Sequence, residues 1–301
     1  MKDQAERLRE IVSDLKKRKE KNRENIGLSK KMSYSRVIAV TSGKGGVGKT
    51  NFTVNLGIKF AQMGMRVVII DADLGLSNVD VVMGKMSKYN LSDIINSDKD
   101  ILEILEEGPN GIKFISGGSG VKELIKLNET QLVDLLLKLG KLDDIADIIL
   151  LDTGAGLSDN VLSFVHAAKE VILITTPEPT SMTDAYALIK TIFRKDKDKN
   201  IKMVVNRADN AAEAYNIMDK LSLVTQKFLG IELQKLGYVV NDSCVTKAVR
   251  LQQPFVISYA KSEASKNIEN IALTLADNKE MGEESASGFK MFINKLINIF
   301  N

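Results

Sequence analysis

Gly43-Lys-Gly-Gly-Val-Gly-Lys-Thr50 directly follows an apolar run at residues 36–41 and opens a segment of helix length, residues 49–63. Its spacing satisfies G-x-x-x-x-G-K-[ST], in the setting of strand, loop and helix that this motif requires. Glycines let the backbone turn tightly, so that successive N–H groups and the following helix N-terminus point at an anion. The stretch therefore predicts a loop that binds the phosphates of a nucleoside triphosphate.

The loop contains two lysines with different expected roles. Lys49 can reach the β- and γ-phosphates, and the neighbouring Thr50 hydroxyl can ligate Mg²⁺. Lys44 could be solvated and idle. However, the string Lys-Gly-Gly-Val-Gly-Lys-Thr resembles the deviant Walker A signature of the MinD/ParA family of ATPases. The resemblance implies an ATP-sandwich homodimer in which Lys44 contacts phosphates across the interface and stabilises developing charge, as an arginine finger does.

Acidic residues follow two further apolar runs. Residues 66–71 lead into Asp71-Ala-Asp73, and residues 147–152 end in Asp152-Thr-Gly-Ala-Gly156. Acids at the carboxyl ends of parallel strands face the crevice where doubly wound sheets bind ligands. Apolar residues followed by Asp152 form a Walker B pattern, whose carboxylate is expected to reach the Mg²⁺ shell through water. The resemblance implies that Asp73 positions the attacking water and that Asp71 lies near the metal.

The stretch Val204-Val-Asn-Arg-Ala-Asp209 leaves open which base is bound. It approximates the guanine motif Asn-Lys-x-Asp, with arginine in place of lysine. MinD-like ATPases have a similar Asn-Arg, and the resemblance implies that the asparagine contacts adenine, so ATP is the expected substrate. The predicted nucleotide-binding residues are Gly43, Lys44, Gly45, Gly46, Val47, Gly48, Lys49, Thr50, Asn51, Asn206 and Arg207. The turn at 175–184 has a structural explanation in prolines before a capping Thr or Ser, and no catalytic role is assigned to it.

Apolar, β-branched runs alternate with helix-length segments through most of the chain. Runs that are apolar at successive positions predict strands covered on both faces, and the alternation predicts right-handed crossovers. We expect an α/β fold, a single doubly wound, mostly parallel sheet of about seven or eight strands flanked by helices. The predicted strands are 36–41, 66–71, 112–116, 147–152, 170–175, 201–206 and 235–240, and the predicted helices include 49–63, 128–140, 180–194 and 210–229.

The predicted organisation is an N-terminal arm (1–32), a MinD-like domain (33–276), a flexible linker (277–287) and a terminal helix (288–301). The arm carries eleven Lys/Arg against six acids, so in a chain of net charge +3 the remainder carries −2. A basic arm on a mildly acidic body suggests that the arm meets an acidic partner or surface. Its apolar spacing fits either a solvated, partly helical tail or a helix that orders in a partner's groove.

The arm begins with Asp3-Gln-Ala-Glu-Arg-Leu-Arg9. This stretch resembles the Asp-Gln-Ala-x-x-Leu-Arg motif of the flagellar FlhG/YlxH branch of the family, which uses it to stimulate the GTPase FlhF. The resemblance implies an FlhF-type partner, with flagellar basal-body components as possible further ones. The residues that carry it are Asp3, Gln4, Ala5, Leu8 and Arg9.

The final segment has the apolar spacing i, i+3, i+4, i+7, i+8, i+11, which predicts an amphipathic helix. Such a helix either packs onto its own domain or anchors the chain reversibly at an anionic membrane. One copy would bind lipid weakly, and dimerisation would raise avidity by about 10²-fold or more. ATP-dependent pairing would then control membrane binding. The predicted membrane-binding residues are Phe289, Phe292, Ile293, Leu296, Ile297 and Phe300.

Composition excludes several classes of site. One cysteine and one histidine rule out an intramolecular disulfide and make a zinc site or a Ser/His/Asp triad a poor expectation. No run of eighteen apolar residues or signal peptide is present, so we expect a cytoplasmic protein with peripheral membrane contact. Three alternatives to a flagellar regulator stay open: a cell-division MinD, a metabolic P-loop enzyme, and a ParA-like DNA partition protein. The body's charge argues against a nucleic-acid partner.

Overall fold

The computed structural model describes residues 35–73, 78–97, 99–117, 129–277 and 288–300. The predicted arm, including Asp3, Gln4, Ala5, Leu8 and Arg9, lies outside these ranges, as does all of the predicted linker except Asp277. The strands of the described part are β1 (Arg36–Ser42), β2 (Val67–Ala72), β3 (Glu106–Glu107), β4 (Lys113–Ile115), β5 (Ile148–Ala155), β6 (Glu170–Thr175), β7 (Asn200–Ala208) and β8 (Gln234–Val240).

These strands form one eight-stranded sheet in the order β3-β4-β2-β5-β1-β6-β7-β8. Every pairing is parallel except that of β3 with β4. All residues of β2 and β6 are buried, as expected for strands covered on both faces. The predicted fold class is confirmed. The edge strand β3 was not predicted, because a pair of glutamates carries no apolar pattern.

Helices cover both faces of the sheet. Those of the described part are α1 (Lys49–Gln62), α2 (Asn78–Met83), α3 (Leu91–Asn96), α4 (Glu129–Leu139), α5 (Leu142–Ile145), α6 (Asp159–Ala167), α7 (Pro179–Lys195), α8 (Ala211–Leu229), α9 (Ser243–Arg250), α10 (Phe255–Ser258), α11 (Glu263–Asp277) and α12 (Phe289–Phe300). One apolar core joins α1 and α11 to the sheet, and a second joins α6, α7 and α8 to it. The phosphate-binding loop and the other strand-to-helix turns therefore meet at the carboxyl edge of the sheet.

The amino edge of the sheet holds a buried ion cluster that the sequence did not indicate. The Glu170 carboxylate accepts from Arg36 Nε at 2.5 Å and from Lys202 Nζ at 2.6 Å. Arg36 Nη1 also donates to the carbonyl of Leu275 at the end of α11. Burying one carboxylate between two cations is tolerable only because its oxygens are hydrogen-bonded. The cluster ties β1, β6, β7 and α11 together at the edge opposite the phosphate-binding loop.

Helix α12 is docked on the domain. Its side chains Phe289, Phe292, Ile293, Leu296 and Ile297 are each at most 7% exposed. The ring centroid of Phe292 lies 6.2 Å from that of Phe164 in α6. The side chain of Phe300 lies outside the described part.

The N-terminus of α12 is capped by a side chain that is distant in sequence. The Asp143 carboxylate of α5 accepts from the N–H groups of Phe289 at 2.7 Å and Lys290 at 3.3 Å, and from the Ser35 hydroxyl. A carboxylate there satisfies N–H groups of the first turn and complements the helix dipole. The sequence left two hypotheses for this segment, packing on its own domain or anchoring at a membrane. The structure shows the helix packed on its own domain. The physical reason is burial of the five apolar side chains named above. Membrane binding through them, which stays a prediction, requires undocking.

Among the residues that the structure describes, no helix combines the length and the apolar character needed to cross a membrane.

Candidate nucleotide-binding site

The phosphate-binding loop leads directly into α1. Gly48 is the N-cap of α1 with φ 89°, a left-handed conformation that favours glycine. A Cβ on Gly48 would lie 2.4 Å from Asn206 Nδ2, so a larger residue would also clash. No side chain caps α1 and its first turn contains no acid. The helix thus keeps the N–H groups and the positive dipole end that a phosphate needs.

Lys49, Thr50 and Asp152 are joined by direct contacts. Lys49 Nζ lies 3.0 Å from Asp152 Oδ1, and the Thr50 hydroxyl donates to Asp152 Oδ2 at 2.6 Å. The Thr53 hydroxyl lies 3.2 Å from Asp152 Oδ1. The Lys49 side chain is 8% exposed and that of Asp152 is fully buried. The structure therefore brings three side chains together at one place. They are the lysine predicted to bind phosphate, the hydroxyl predicted to ligate the metal and the predicted Walker B carboxylate.

Asp71 and Asp152 face each other in register on β2 and β5. Burial, together with the negative charge of Asp152, raises the pKa of Asp71 to about 7. Two buried carboxylates and the Thr50 hydroxyl are hard oxygen donors of the kind that Mg²⁺ prefers. A divalent cation would neutralise the charge that these acids impose on each other. Within the described ranges, no three or more His, Cys, Asp or Glu side chains are placed so that they could hold a metal ion by themselves. Thr50 and the phosphates would therefore have to complete the ligand set.

The raised pKa of Asp71 predicts a pH-dependent stability without nucleotide and Mg²⁺. Because the folded protein holds this proton more tightly than the unfolded chain, the stabilising contribution is complete below about pH 4 and is lost as pH rises towards 7. Between about pH 5 and pH 8 the free energy of unfolding should fall by about 3 kcal/mol relative to Asp71→Asn. Urea unfolding at several pH values measures the difference. If the free energy of unfolding changes with pH equally in the unsubstituted chain and in Asp71→Asn, the prediction is wrong.

Asp73 lies beside these acids at the end of β2. Its N–H donates to Asp71 Oδ1 at 3.0 Å, and its carboxylate accepts from the Asn78 amide at 3.3 Å. A Cβ on Gly154, in the segment after Asp152, would lie 3.6 Å from Asp73 Oδ1. Asp73 therefore faces the glycine segment that follows Asp152, and its role in positioning the attacking water stays a prediction.

A cavity of about 670 Å³ opens next to Gly48 and Asn51. Its volume suits a nucleoside. The residues that line it are Gly48, Asn51, Phe52, Asn206, Arg207, Val239, Val240, Asn241, Asp242, Val245, Thr246, Val249, Arg250, Phe255 and Ile268. Phe52 and the residues from 239 onward were not predicted. The carboxyl end of β8 lies at the same edge of the sheet, and this position is the signal that indicates residues 239–242.

Asn206 and Arg207 both line this cavity, but the Asn206 amide is engaged with the backbone. Asn206 Nδ2 donates to the Val47 carbonyl at 2.7 Å, and its Oδ1 accepts from the Arg207 N–H at 2.9 Å. Arg207 has φ 58°, an uncommon backbone conformation for an arginine. The geometry therefore gives Asn206 a role in fixing the phosphate-binding loop beside its predicted contact with the base.

Lys44, in the phosphate-binding loop, contacts the residues around the start of α7. Its Nζ is 2.8 Å from Glu178 Oε2 and 2.9 Å from the Thr180 hydroxyl oxygen. This ion pair lowers the pKa of Glu178. No catalytic role was predicted for the turn between β6 and α7, because its prolines are sufficiently explained by the start of a helix.

A family model described as ParA, NUBPL iron-transfer P-loop NTPase, matches residues 33–276. The chain is 38% identical over 261 residues to the antiactivator FleN of Pseudomonas aeruginosa, covering 87% of this chain and 93% of FleN. It is 32% identical over 267 residues to the flagellum site-determining protein YlxH of Helicobacter pylori, covering 87% and 90% of the two chains.

Solved structures show the same fold. The septum site-determining protein MinD of Pyrococcus horikoshii, complexed with Mg-ADP, matches with a TM-score of 0.66 and 22% identity, over 83% of this chain and 99% of that one. A chain of the MinC:MinD cell division protein complex of Aquifex aeolicus matches with a TM-score of 0.63 and 24% identity, over 80% of this chain and 96% of that one. At these identities the likeness concerns the fold.

Proposed function

The chain belongs to the ParA family of P-loop NTPases, with MinD-like relatives, and we propose that it is an ATP-hydrolysing switch protein that regulates flagellar number or placement. The proposed ATP hydrolysis rests on one observation. At the phosphate-binding loop, Lys49 and Thr50 both contact the Asp152 carboxylate. Identity of 38% to FleN and 32% to YlxH over 87% of the chain supports the flagellar part.

The proposed reaction hydrolyses ATP to ADP and phosphate. The loop N–H groups and Lys49 bind the phosphates, and Asp73 orients the attacking water. Thr50, Asp71 and Asp152 would hold Mg²⁺, which supplies Lewis-acid stabilisation of the phosphate oxygens when bound. Asn206 holds the loop in place through its contact with the Val47 carbonyl. Catalysis thus relies on positioning and charge, as phosphoryl transfer requires.

We propose that ATP pairs two copies of the chain. Lys44 belongs to the phosphate-binding loop and its side chain is 38% exposed, so it is accessible to a second copy. In a two-fold dimer each Lys44 would contact the phosphates of the other copy, because symmetry makes the contact reciprocal. Such a cation would stabilise the transition state across the interface.

Membrane cycling is proposed to act through α12. Helix α6 begins at Asp159, just after the glycine segment that follows Asp152, and its Phe164 packs on Phe292 of α12. A change at the γ-phosphate that moves α6 would therefore disturb the docking of α12. Undocked, α12 would offer its apolar face to an anionic membrane, and a dimer would offer two copies. Hydrolysis would return the protein to the docked form.

Other functions have less support. A cell-division role like that of MinD leaves the arm motif unexplained, and a DNA partition role conflicts with the charge of −2 beyond the arm. An iron-transfer role, which the description of the family model names, has no support from the residues of this chain. Iron–sulfur clusters need several cysteine thiolates, and Cys244 is the one cysteine in the sequence.

The flagellar proposal is tested by adding the full chain to an FlhF-type GTPase and measuring GTP turnover. We expect stimulation of about tenfold or more, since a partner that orients catalytic groups gives effects of this size or larger. Replacing both Gln4 and Arg9 by alanine should abolish stimulation. Replacing both Lys16 and Lys17 by alanine, which lie in the same arm outside the motif, should preserve it. Equal stimulation by both variants would remove the motif from the mechanism.

A further inference from the structure

The first turn of helix α2 contacts both acids at the end of β2. The Asn78 side-chain amide donates to Asp73 Oδ2 at 3.3 Å, and the Val79 N–H donates to Asp71 Oδ2 at 3.2 Å. These two bonds connect the acids of the candidate site to the start of one helix. The orientation of the two carboxylates therefore depends on where α2 lies.

Helix α2 has only six residues. A helix of this length is marginal in water, so its position is set by tertiary contacts. On one side it buries Val79 and Met83 in the apolar core that includes α1. On another side it carries an acid, Asp80, that is only 9% exposed. A carboxylate this far buried needs hydrogen-bond donors, and those donors add a second constraint on the helix.

The Asp80 carboxylate connects α2 to the end of β4 and to the turn that follows α2. Its Oδ2 accepts from the Ser116 hydroxyl at 3.1 Å and from the Ser87 N–H at 3.2 Å. Its Oδ1 accepts from the Ser87 hydroxyl at 3.0 Å. Ser116 directly follows β4, so the carboxylate joins the helix to the sheet.

The end of β4 is packed on the backbone that carries the two acids. A Cβ on Gly117 would lie 3.0 Å from the carbonyl oxygens of both Asp71 and Asp73, so a larger residue would press on that backbone. Ser116 is the neighbour of Gly117 and shares its close approach to β2. The contact between Ser116 and Asp80 therefore places α2 relative to the acids.

We propose that Asp80 is a positioning residue for ATP hydrolysis, which sets the place of α2 and thereby the orientation of Asp73 and Asp71. The inference rests on the proposed hydrolysis, in which Asp73 orients the attacking water. Asp80 acts through the helix and not on the nucleotide. Because a misplacement of about 1 Å can cost about 10²-fold in rate, loss of Asp80 slows the chemical step while the phosphate contacts of the loop remain.

The test compares Asp80→Ala with Asp80→Asn in the full chain. Alanine removes all three hydrogen bonds and should lower kcat about tenfold or more, with KM within about threefold of normal. In asparagine the amide oxygen can accept from the Ser116 hydroxyl and the Ser87 N–H, and the amide nitrogen can donate to the Ser87 hydroxyl oxygen. Asparagine should therefore keep kcat within about threefold. Steady-state phosphate release and binding of a fluorescent ATP analogue, both with Mg²⁺, measure these effects.

Asp147→Ala is the control for a loss of stability alone. The Asp147 carboxylate accepts from the Arg66 N–H at 2.8 Å, just before β2 and at the edge of the sheet opposite the site. Its removal should lower the urea midpoint of unfolding and leave kcat within about twofold. Hydrogen exchange without nucleotide gives a second readout. Protection of the Val79 N–H should fall about tenfold or more in Asp80→Ala and change little in Asp147→Ala.

Two results would overturn the inference alone. One is a folded Asp80→Ala protein whose kcat equals that of Asp147→Ala. The other is a loss of kcat in Asp80→Asn as large as that in Asp80→Ala, because the charge of Asp80 and not its contacts would then carry the effect. Should the unsubstituted chain release no phosphate from ATP, the proposed hydrolysis is wrong and this inference falls with it.

Discussion

Replacing Lys49 by glutamine is expected to lower ATP turnover by about 10²-fold or more. The ammonium is buried beside Asp152, where a charge is worth far more than at an exposed position. Removal of a preorganised group that stabilises transition-state charge typically costs about 10²–10³-fold. Steady-state phosphate release with Mg²⁺ measures the effect, with ATP and GTP compared in parallel. Turnover should favour ATP, and a preference for GTP would overturn the assignment of the base.

Loss of stability must be separated from loss of chemistry in this experiment. Removing Lys49 leaves the buried Asp152 carboxylate with only hydroxyl partners, which can cost about 3 kcal/mol of unfolding free energy. Lys59→Gln is the matched control, because Lys59 lies in the same helix, is 8% exposed and pairs with Glu269. Its turnover should stay within about twofold of normal. A Lys49→Gln protein that is folded and fully active would exclude the proposed phosphate-binding role.

Seven of the eight strands of the sheet were predictable because each of them carries its own signal, and the edge strand β3 was not. Residues such as Val67-Val-Ile-Ile70 are apolar at successive positions, and a parallel strand between two helical layers requires that pattern. The order of the strands was not predictable in detail, since the sequence contains no signal for which neighbour each strand pairs with. The ion cluster of Arg36, Glu170 and Lys202 illustrates the limit, because its members are distant in sequence and meet only in the folded sheet.

The residues of the candidate site were predicted from local sequence motifs. The structure adds the contacts between them. Thr50 and Asp152 are about a hundred positions apart, and their hydrogen bond follows from the adjacency of the loop and β5. Glu178 was not predicted as a site residue, because the prolines of its turn were sufficiently explained by the start of a helix. Its contact with Lys44 depends on the approach of α7 to Gly43, which sequence spacing does not encode.

The helical character of residues 288–301 was predictable from apolar spacing, but the surface that the helix meets was not. The same stripe of phenylalanine, isoleucine and leucine fits a membrane and a protein groove, since both remove apolar area from water. In the structure the stripe covers α6 and neighbouring helices. If the proposed membrane cycling is correct, a substitution in the groove and one in the helix should therefore change membrane binding to different extents.

Phe164→Ala is expected to increase binding to anionic vesicles in the absence of ATP, by about tenfold or more. Phe164 is 4% exposed and its ring stacks on Phe292, so its loss weakens docking. Truncating a buried phenylalanine costs about 3–5 kcal/mol, part of which falls on the docked state. The apolar face of α12 is left intact by this change and is free to enter lipid.

Phe292→Ala removes the other ring of the same contact and also an apolar anchor of α12. It should undock the helix as well, yet bind vesicles more weakly than Phe164→Ala, because the lipid-facing area is smaller. Vesicle sedimentation with and without ATP, beside a chain ending at residue 287, compares the variants directly. The shortened chain should lose ATP-dependent binding. If Phe164→Ala and Phe292→Ala shift binding equally, or if the shortened chain binds as before, α12 is a structural helix and membrane contact lies elsewhere.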